Sequence, residues 1–255
     1  MERMYHIAMT KEDAGEYAIL TGDPGRVESI AKQLDGARHV ASNREYTTWL
    51  GTVDGVRVNV TSVGIGGPSM AIGVEELVKL GVRTFIRIGT CGGIDLSVKA
   101  GDLIAANAAV RQEGTGLEYL PLAFPAVADF GVTAALKAVL DKHKQNYHIG
   151  TVQSKDSFYG EMEPDRMPVR EQLTQQWEIY KRSGVLASEM ECAALFLLGA
   201  ALKVRCGGLL LCVWNEERRK AYGDASECHQ TQKMYRLAAE TIATLIKNDK
   251  TVPTA

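Results

Sequence analysis

Two spacings of hydrophobic residues alternate along the chain, the short runs of strands and the three-or-four spacing of helices. Tyr17 to Thr21 reads as a short strand, and Gly22-Asp23-Pro24-Gly25 as a turn into a helix through Ile30 and Leu34. Thr47 to Val53 and Val56 to Val63 are β-rich and flank Asp54-Gly55, a hairpin signal. After Gly64-Ile65-Gly66-Gly67, Pro68 suits the start of a helix carrying Ile72, Glu75, Glu76, Leu77 and Leu80. Gly81 suits its C-terminal cap. Val82 to Ile88 is a strand running into Gly89-Thr90-Cys91-Gly92-Gly93. Further strands are expected at Asp102 to Val110, Tyr147 to Ser154, Val185 to Ala187 and Arg205 to Val213. Helices are expected at Val127 to Lys144, Met190 to Lys203 and Gln230 to Ile246.

Strand–loop–helix order of this kind implies an α/β fold with a central mixed, largely parallel β-sheet flanked by helices. No Ser/Gly or Pro tract interrupts it, so residues 1–255 are expected to form a single domain, with about 248–255 as a frayed tail. Ligands of such sheets sit outside the carboxyl ends of the strands.

Composition narrows the class. The 29 basic and 31 acidic residues leave a net charge of -2, which argues against a polybasic nucleic-acid or membrane-surface protein. The uncharged stretch Cys192 to Leu202 is shorter than the roughly 20 residues a membrane span needs. The start, Met1-Glu2-Arg3-Met4-Tyr5-His6, lacks the form of a signal peptide. Cys91, Cys192, Cys206, Cys212 and Cys228 contain no C-x-x-C pair and read as reduced thiols of a cytoplasmic protein. Glycine is the skewed count: 25 of 255 residues is about a tenth, against a usual share of roughly 7%. The excess falls after strands, at Gly22 to Gly25, Gly64 to Gly67 and Gly89 to Gly93. None of these is a dinucleotide or Walker fingerprint. They are either plain turns or places where backbone approaches a ligand.

Arg87 bears on that choice. It sits near the end of an apolar strand, Phe85-Ile86-Arg87-Ile88-Gly89, where a guanidinium needs an anionic partner. That partner is either a nearby carboxylate or a bound anion. Arg26 and Arg44 could join Arg87 around a phosphate, with the Thr90 hydroxyl and the Gly22 N–H as further donors. Ser188-Glu189-Met190-Glu191 has the spacing of a capping box. Its alternative is that Glu191 accepts both hydroxyls of a sugar diol.

In this order, Tyr5-His6-Ile7, Gly22-Asp23-Pro24 with Arg26, and Arg44-Glu45-Tyr46-Thr47-Thr48 resemble the nucleoside phosphorylase family, nearest its uridine-cleaving branch. So do Gly64-Ile65-Gly66-Gly67-Pro68-Ser69, Arg87-Ile88-Gly89-Thr90-Cys91-Gly92, Phe124 to Asp129 and Glu189-Met190-Glu191. The resemblance implies reversible phosphorolysis of a pyrimidine nucleoside, uridine first, in nucleoside salvage. Phosphate is a co-substrate and no cofactor is required. It also implies a homo-oligomer, a hexamer of dimers with shared sites; the composition adds the expectation of no nucleic-acid or membrane partner.

Residue by residue, the resemblance assigns phosphate to Gly22, Arg26, Arg87 and Thr90, with Arg44 from a neighbouring subunit. Ribose falls to Met190 and Glu191, with His6 of the neighbour. Arg87 and Glu191 carry the catalytic role. The base lies at Cys91, Gly92 and Phe158. Glu45, Ile65 and Ser69 match positions that hold potassium between subunits, although Glu45 alone reads as a surface acid. Removing Arg87 is expected to abolish activity and leave the fold largely intact.

Base recognition departs from the pattern. Glu161 stands where a Gln reads uracil, and Arg166 aligns with the base-reading Arg. An ionised Glu161 accepts a ring N–H but cannot donate to a carbonyl, and its two oxygens suit adjacent donors such as those of guanine. Asn215, near where purine-cleaving relatives place an acid, cannot protonate a purine. Trp214 either narrows the base pocket or packs in the core. The rival readings are a purine nucleoside phosphorylase, a hydrolytic nucleosidase and a non-catalytic nucleoside-binding protein.

Overall fold

A computed structural model describes residues 3–251. Met1, Glu2 and the last part of the expected tail, 252–255, lie outside the described residues.

The chain opens with β1 (Tyr17–Thr21), fully buried, then a 3-10 turn at Pro24–Arg26 and the short helix α1 (Val27–Ala31). Next come β2 (Asp35–Asn43), β3 (Tyr46–Val53), β4 (Val56–Ser62) and helix α2 (Gly67–Leu80). Strands β5 (Thr84–Gly93) and β6 (Leu103–Gln112) precede the two-residue β7 (Ala126–Val127), helix α3 (Phe130–Lys142) and β8 (Tyr147–Lys155). Helices α4 (Phe158–Met162) and α5 (Arg170–Arg182) lead to β9 (Ala187–Glu189), α6 (Cys192–Leu202) and β10 (Arg205–Asn215). Helices α7 (Glu216–Tyr222) and α8 (Gln232–Thr251) end the described chain.

The ten strands of the described residues form one mixed sheet, ordered β10-β6-β8-β9-β5-β1-β4-β3-β2, with β7 beside β6. Strand β10 also pairs with β5, so part of the sheet curls round on itself. The crossovers make β1–β4, β1–β5, β5–β10, β6–β8 and β8–β9 parallel, and the remaining pairings are antiparallel. Two apolar clusters cover the sheet. One gathers α2 and α6 with Ile7, Phe85 and Leu210. The other gathers α3 and α8 with Ile19, Ile86 and Leu209. Helix α6 is apolar on every side because it is walled in, and no described helix is long and apolar enough to cross a membrane.

Several elements differ from the periodicity reading. Gly89 to Gly93 is not a loop, because β10 pairs with it up to Asn215↔Gly93, with one register shift between Cys212 and Trp214. Helix α3 starts at Phe130 because the Asp129 carboxylate accepts from the N–H of Val132 at 2.9 Å. Strand β2 is a largely exposed edge strand, so its polar residues give no burial pattern. Helix α5 buries no residue completely and has only a partial stripe of Leu173, Trp177 and Tyr180. Asn248 to Thr251 is helical rather than frayed. Asp249 holds Arg205 at 2.5 Å and accepts from the Tyr17 hydroxyl at 2.5 Å, which ties that turn to the sheet.

Candidate functional site

At the carboxyl ends of β1, β5, β8 and β10 lies a cavity of about 540 Å³. Gly22, Arg26, Arg87 and Thr90 line one part of it. Cys91, Gly92, Phe158 and Glu161 line another, with Met190 and Glu191 on the β9–α6 connection. The chain therefore brings ten of the candidate residues around one space, and Ile65 joins them. His6, Arg44, Glu45, Ser69 and Arg166 are not among the lining residues.

Arg87 is the buried centre. Its Nη2 pairs with Glu191 and lies 3.4 Å from Glu189 Oε2. Burial disfavours the guanidinium charge, but the field of Glu191 and then Glu189 outweighs it and holds Arg87 firmly charged. Of the two sequence alternatives the carboxylate partner is the one observed, and the buried Nη1 of Arg87 has no hydrogen-bond partner. Gly89 is required by this group, because a Cβ there would overlap the Arg87 guanidinium. The ion pair also revises the expectation that Arg87 can be removed at little structural cost. Arg87→Ala strands two buried carboxylates, which costs about 3–5 kcal/mol.

Ser188 and Glu191 do not form a capping box. The first N–H groups of α6 are held by the Glu189 carboxylate, which accepts from Glu191 N at 2.9 Å and Cys192 N at 3.0 Å. Ser154 Oγ takes the Ala193 N–H at 2.8 Å. Glu191 is thereby free to turn into the cavity, where Oε1 accepts from the Gly66 N–H at 2.6 Å and Oε2 meets Arg87. Gly66 presents that N–H from a φ of 90°, a left-handed conformation that favours glycine.

Ser188 faces the other way and joins a group that sequence reading missed. Lys155 Nζ lies 2.5 Å from Ser188 Oγ and 2.9 Å from Glu161 Oε2, and Ser188 Oγ donates to the same Glu161 oxygen at 2.5 Å. The Lys155 ammonium also sits 5.9 Å from the centre of the Phe158 ring. Lys155 is the last residue of β8, directly after the predicted strand Tyr147 to Ser154, and it is buried. The cavity is not the cationic pocket that the arginines suggested. Arg26, Arg87 and Lys155 face four carboxylates, those of Asp23, Glu161, Glu189 and Glu191.

The remaining candidates are placed as follows. Arg166 lies on an exposed turn paired with Glu163. Arg44 sits exposed, at φ 54°, in the tight turn from β2 to β3. His6 is tethered by Glu76 of α2, which accepts from its backbone N–H at 3.0 Å and contacts Nδ1 at 2.8 Å. Glu45 and Ser69 flank Gly64, and the Ser69 hydroxyl donates to the Ile65 carbonyl at 3.1 Å. Among the described residues no group of three or more His, Cys, Asp and Glu side chains gathers as for a metal ion.

Trp214 lines the cavity against Gly92. Asn215 is committed elsewhere: its Nδ2 donates to Asp95 and Val98 carbonyls at 2.8 and 2.9 Å, and its Oδ1 caps α7 through Arg218 N. Cys91 also lines the cavity, and burial, then hydrogen bonding to Cys212, pushes its thiol well above its ordinary range.

The site is thus a cavity at the strand ends of a mixed α/β sheet, built round a buried, partly unsatisfied arginine paired to an acid. The sequence model of the Phosphorylase superfamily matches residues 16–248, and the chain belongs to that family. A uridine phosphorylase of Treponema pallidum (strain Nichols) is 47% identical over 245 residues, covering 96% of this chain and 95% of its own length. The uridine phosphorylase of Escherichia coli (strain K12) is 42% identical over 209 residues, 80% of this chain and 83% of its own. A guanosine phosphorylase of Halorubrum lacusprofundi is 36% identical over 209 residues, 82% of either chain.

Proposed function

We propose that this chain is a pentosyltransferase that cleaves uridine with phosphate, reversibly, to uracil and ribose 1-phosphate. The observation that carries this reading is Arg87: a buried guanidinium with one nitrogen unpartnered, beside a carboxylate, in a cavity large enough for a nucleoside and an anion. Phosphate lies against Arg87 Nη1, Arg26, Thr90 and the Gly22 backbone. Glu191 accepts from the ribose diol through lone pairs that Gly66 and Arg87 leave free, and Met190 packs on the sugar. A phosphate oxygen bonds to the anomeric carbon as the bond to the base breaks, and the bonding electron pair leaves with the base. No protein nucleophile takes part, so the rate comes from positioning and from charge set beside the oxocarbenium-like sugar.

Lys155 supplies what Glu161 lacks. Glu161 accepts the ring N–H, and the ammonium donates to the neighbouring carbonyl, where negative charge develops on the departing uracil. Cys91, Gly92 and Phe158 enclose the ring. Arg166 stays outside in this chain, so Lys155 replaces it as the cationic base reader.

Three cations against four carboxylates leave a phosphate dianion under-compensated within one chain. We therefore assign the exposed Arg44, and His6, to the site of a neighbouring copy, in a homodimer and a hexamer of such dimers. Glu45 and Ser69 lie beside Gly64 and Ser69 bonds the Ile65 carbonyl, a group that fits a potassium ion only with further oxygens from a second copy. Five free cysteines, four of them buried, support a reducing, cytoplasmic setting, and one continuous sheet supports a single domain.

Guanosine phosphorolysis is the second reading, favoured by one observation: a donor, Lys155, beside the two acceptor oxygens of Glu161 complements O6 and the N–H groups of guanine. The test is base release from uridine, thymidine, inosine, guanosine and adenosine, with and without phosphate. Uridine cleavage that needs phosphate is the expected result. Cleavage without phosphate indicates a nucleosidase, and binding without base release indicates a non-catalytic binder.

A further inference from the structure

A second cavity, of about 770 Å³, meets the first at Gly92, Lys155, Glu161 and Trp214. It lies under α5, and strand register explains its polar wall. Gln153 and Lys155 alternate with Ser154 along β8, so they point to one side while Ser154 points to α6. The same register sets Gln112 of β6 opposite Lys155. A covered sheet face is ordinarily apolar. Here it carries two glutamines that the cleavage of uridine does not use.

Two features give the chamber a polarity. Gln153 lines it, is 3% exposed, and has no hydrogen-bond partner at Oε1. Its amide nitrogen is occupied: Nε2 donates to Gln112 Oε1 at 2.5 Å, and Gln112 Nε2 donates in turn to Gln176 Oε1 of α5 at 2.8 Å. A buried acceptor left open is costly unless a donor reaches it. The wall also carries six carboxylates against four ammonium or guanidinium groups. Five of the six are ion-paired. Asp156 makes no ion pair among the described residues and accepts the Gly114 N–H at 2.8 Å. An open acceptor in a chamber with excess negative charge fits a cationic N–H donor.

Ring geometry decides which part of a bound uridine points there. The sugar bond at N1 and the carbonyl at C4 point in opposite directions, and the N3–H and C5 bonds flank that carbonyl. With N3–H on Glu161 and O4 on Lys155, the C5 bond leaves on the far side of Lys155 from Glu161, while the sugar stays at Arg87. That direction leads between Lys155 and the paired residues Gly92 and Trp214 of β5 and β10, where Gly92 adds no side chain to the opening.

We propose that the second chamber is a subsite for a basic side chain on C5 of uracil, its ammonium donating to Gln153 Oε1 with Asp156 as counter-charge. The inference rests on the phosphorolysis reading and deepens it, by adding 5-aminoalkyl uridines to the substrates. The bonds made and broken are those of uridine cleavage. Lys155 does not oppose the incoming charge, because Glu161 and Ser188 already hold its ammonium. With uridine bound the chamber is solvent-filled and Gln153 Oε1 faces water.

The test measures kcat/KM, with phosphate, for uridine, 5-(3-aminoallyl)uridine and 5-(1-butenyl)uridine in the wild type, Gln153→Leu and Gln153→Glu. The two substituted nucleosides match in size and differ in the ammonium. The wild type is expected to favour the amine over the butenyl compound about tenfold or more, the scale of a charge-assisted hydrogen bond. Gln153→Leu removes the acceptor and is expected to bring that ratio close to one, with uridine cleavage unchanged. Gln153→Glu keeps the relay, since the amides of Gln112 and Gln176 turn over to donate toward it, and is expected to raise the ratio. A merely structural role for Gln153 lowers all three substrates together and leaves the ratio in place, which overturns the inference. A wild type that cleaves uridine but not the amine, or treats the two substituted nucleosides alike, overturns it while sparing the functional reading. Cleavage of none of the three overturns both.

Discussion

Lys155 Nζ and Glu161 Oε2 lie 2.9 Å apart at the boundary between the two cavities, and both side chains are largely buried. The pair sets a cation beside the acid that sequence alone left unexplained. It also makes the two residues separable by experiment. Glu161→Gln is expected to raise uridine cleavage relative to guanosine, because an amide can donate to a uracil carbonyl and accepts less from guanine. Lys155→Met is expected to lower kcat/KM for uridine about 100-fold, the scale of losing a charged donor to a developing anion. An unchanged uridine-to-guanosine ratio in Glu161→Gln means that Glu161 does not read the base.

Arg87 has two duties that the choice of substitution separates. Arg87→Lys keeps a cation between Glu189 and Glu191 but loses the planar fork that leaves Nη1 free. Steady-state kinetics should show a raised phosphate KM and kcat/KM lowered about 100-fold or more, with a modest change in Tm. Arg87→Ala should lose activity and also about 3–5 kcal/mol of stability. Near-normal turnover by Arg87→Lys would sink its assignment to phosphate.

Helix α6 offers a test of its cap. Glu189 is buried and accepts from the N–H of the N-cap Glu191 and of Cys192, the first helical residue, whereas Ser188 Oγ bonds Glu161 instead. Glu189→Ala is expected to cost about 2 kcal/mol or more in urea unfolding. Ser188→Ala is expected to cost clearly less, with its effect falling on base affinity through Lys155 and Glu161. The reverse order of stabilities would restore the capping box.

Glu240 clasps α8 to α3. Hydrogen bonds from His143 and then Lys142 outweigh partial burial, and with Arg236 they pull its carboxyl down from the ordinary 4.5 to about 2. A depressed acid contributes its stability above its unfolded pKa and loses it as pH falls through the folded one. Glu240→Gln should therefore lower stability at neutral pH by about 1 kcal/mol, a screened surface value. The gap to the wild type should narrow from pH 4.5 downward and close near pH 2. A gap independent of pH assigns the loss to packing instead.

Much of the sheet was legible from local pattern. Tyr17 to Thr21 was placed to the residue, and the hairpin at Asp54-Gly55 and the helix before Gly81 followed from turn and cap chemistry that acts over a few residues. What escaped had no strong local signal. Strand β2 is exposed at the sheet edge and α5 buries no residue completely, so neither shows the periodicity that burial imposes.

By itself the sequence determined that an arginine in a buried strand needs an anion, that glycines gather at strand ends, and that Glu161 is an acid where the family resemblance expects a Gln. Only the tertiary structure decided which partners those groups take. Glu189 displaces Ser188 as the cap, Glu191 turns to Arg87, and Lys155 answers Glu161 because β5, β8 and β9 pair in one register that brings distant residues within hydrogen-bond reach. Hydrogen bonds and ion pairs act over a few ångströms, so their partners are fixed by strand register and not by spacing along the chain.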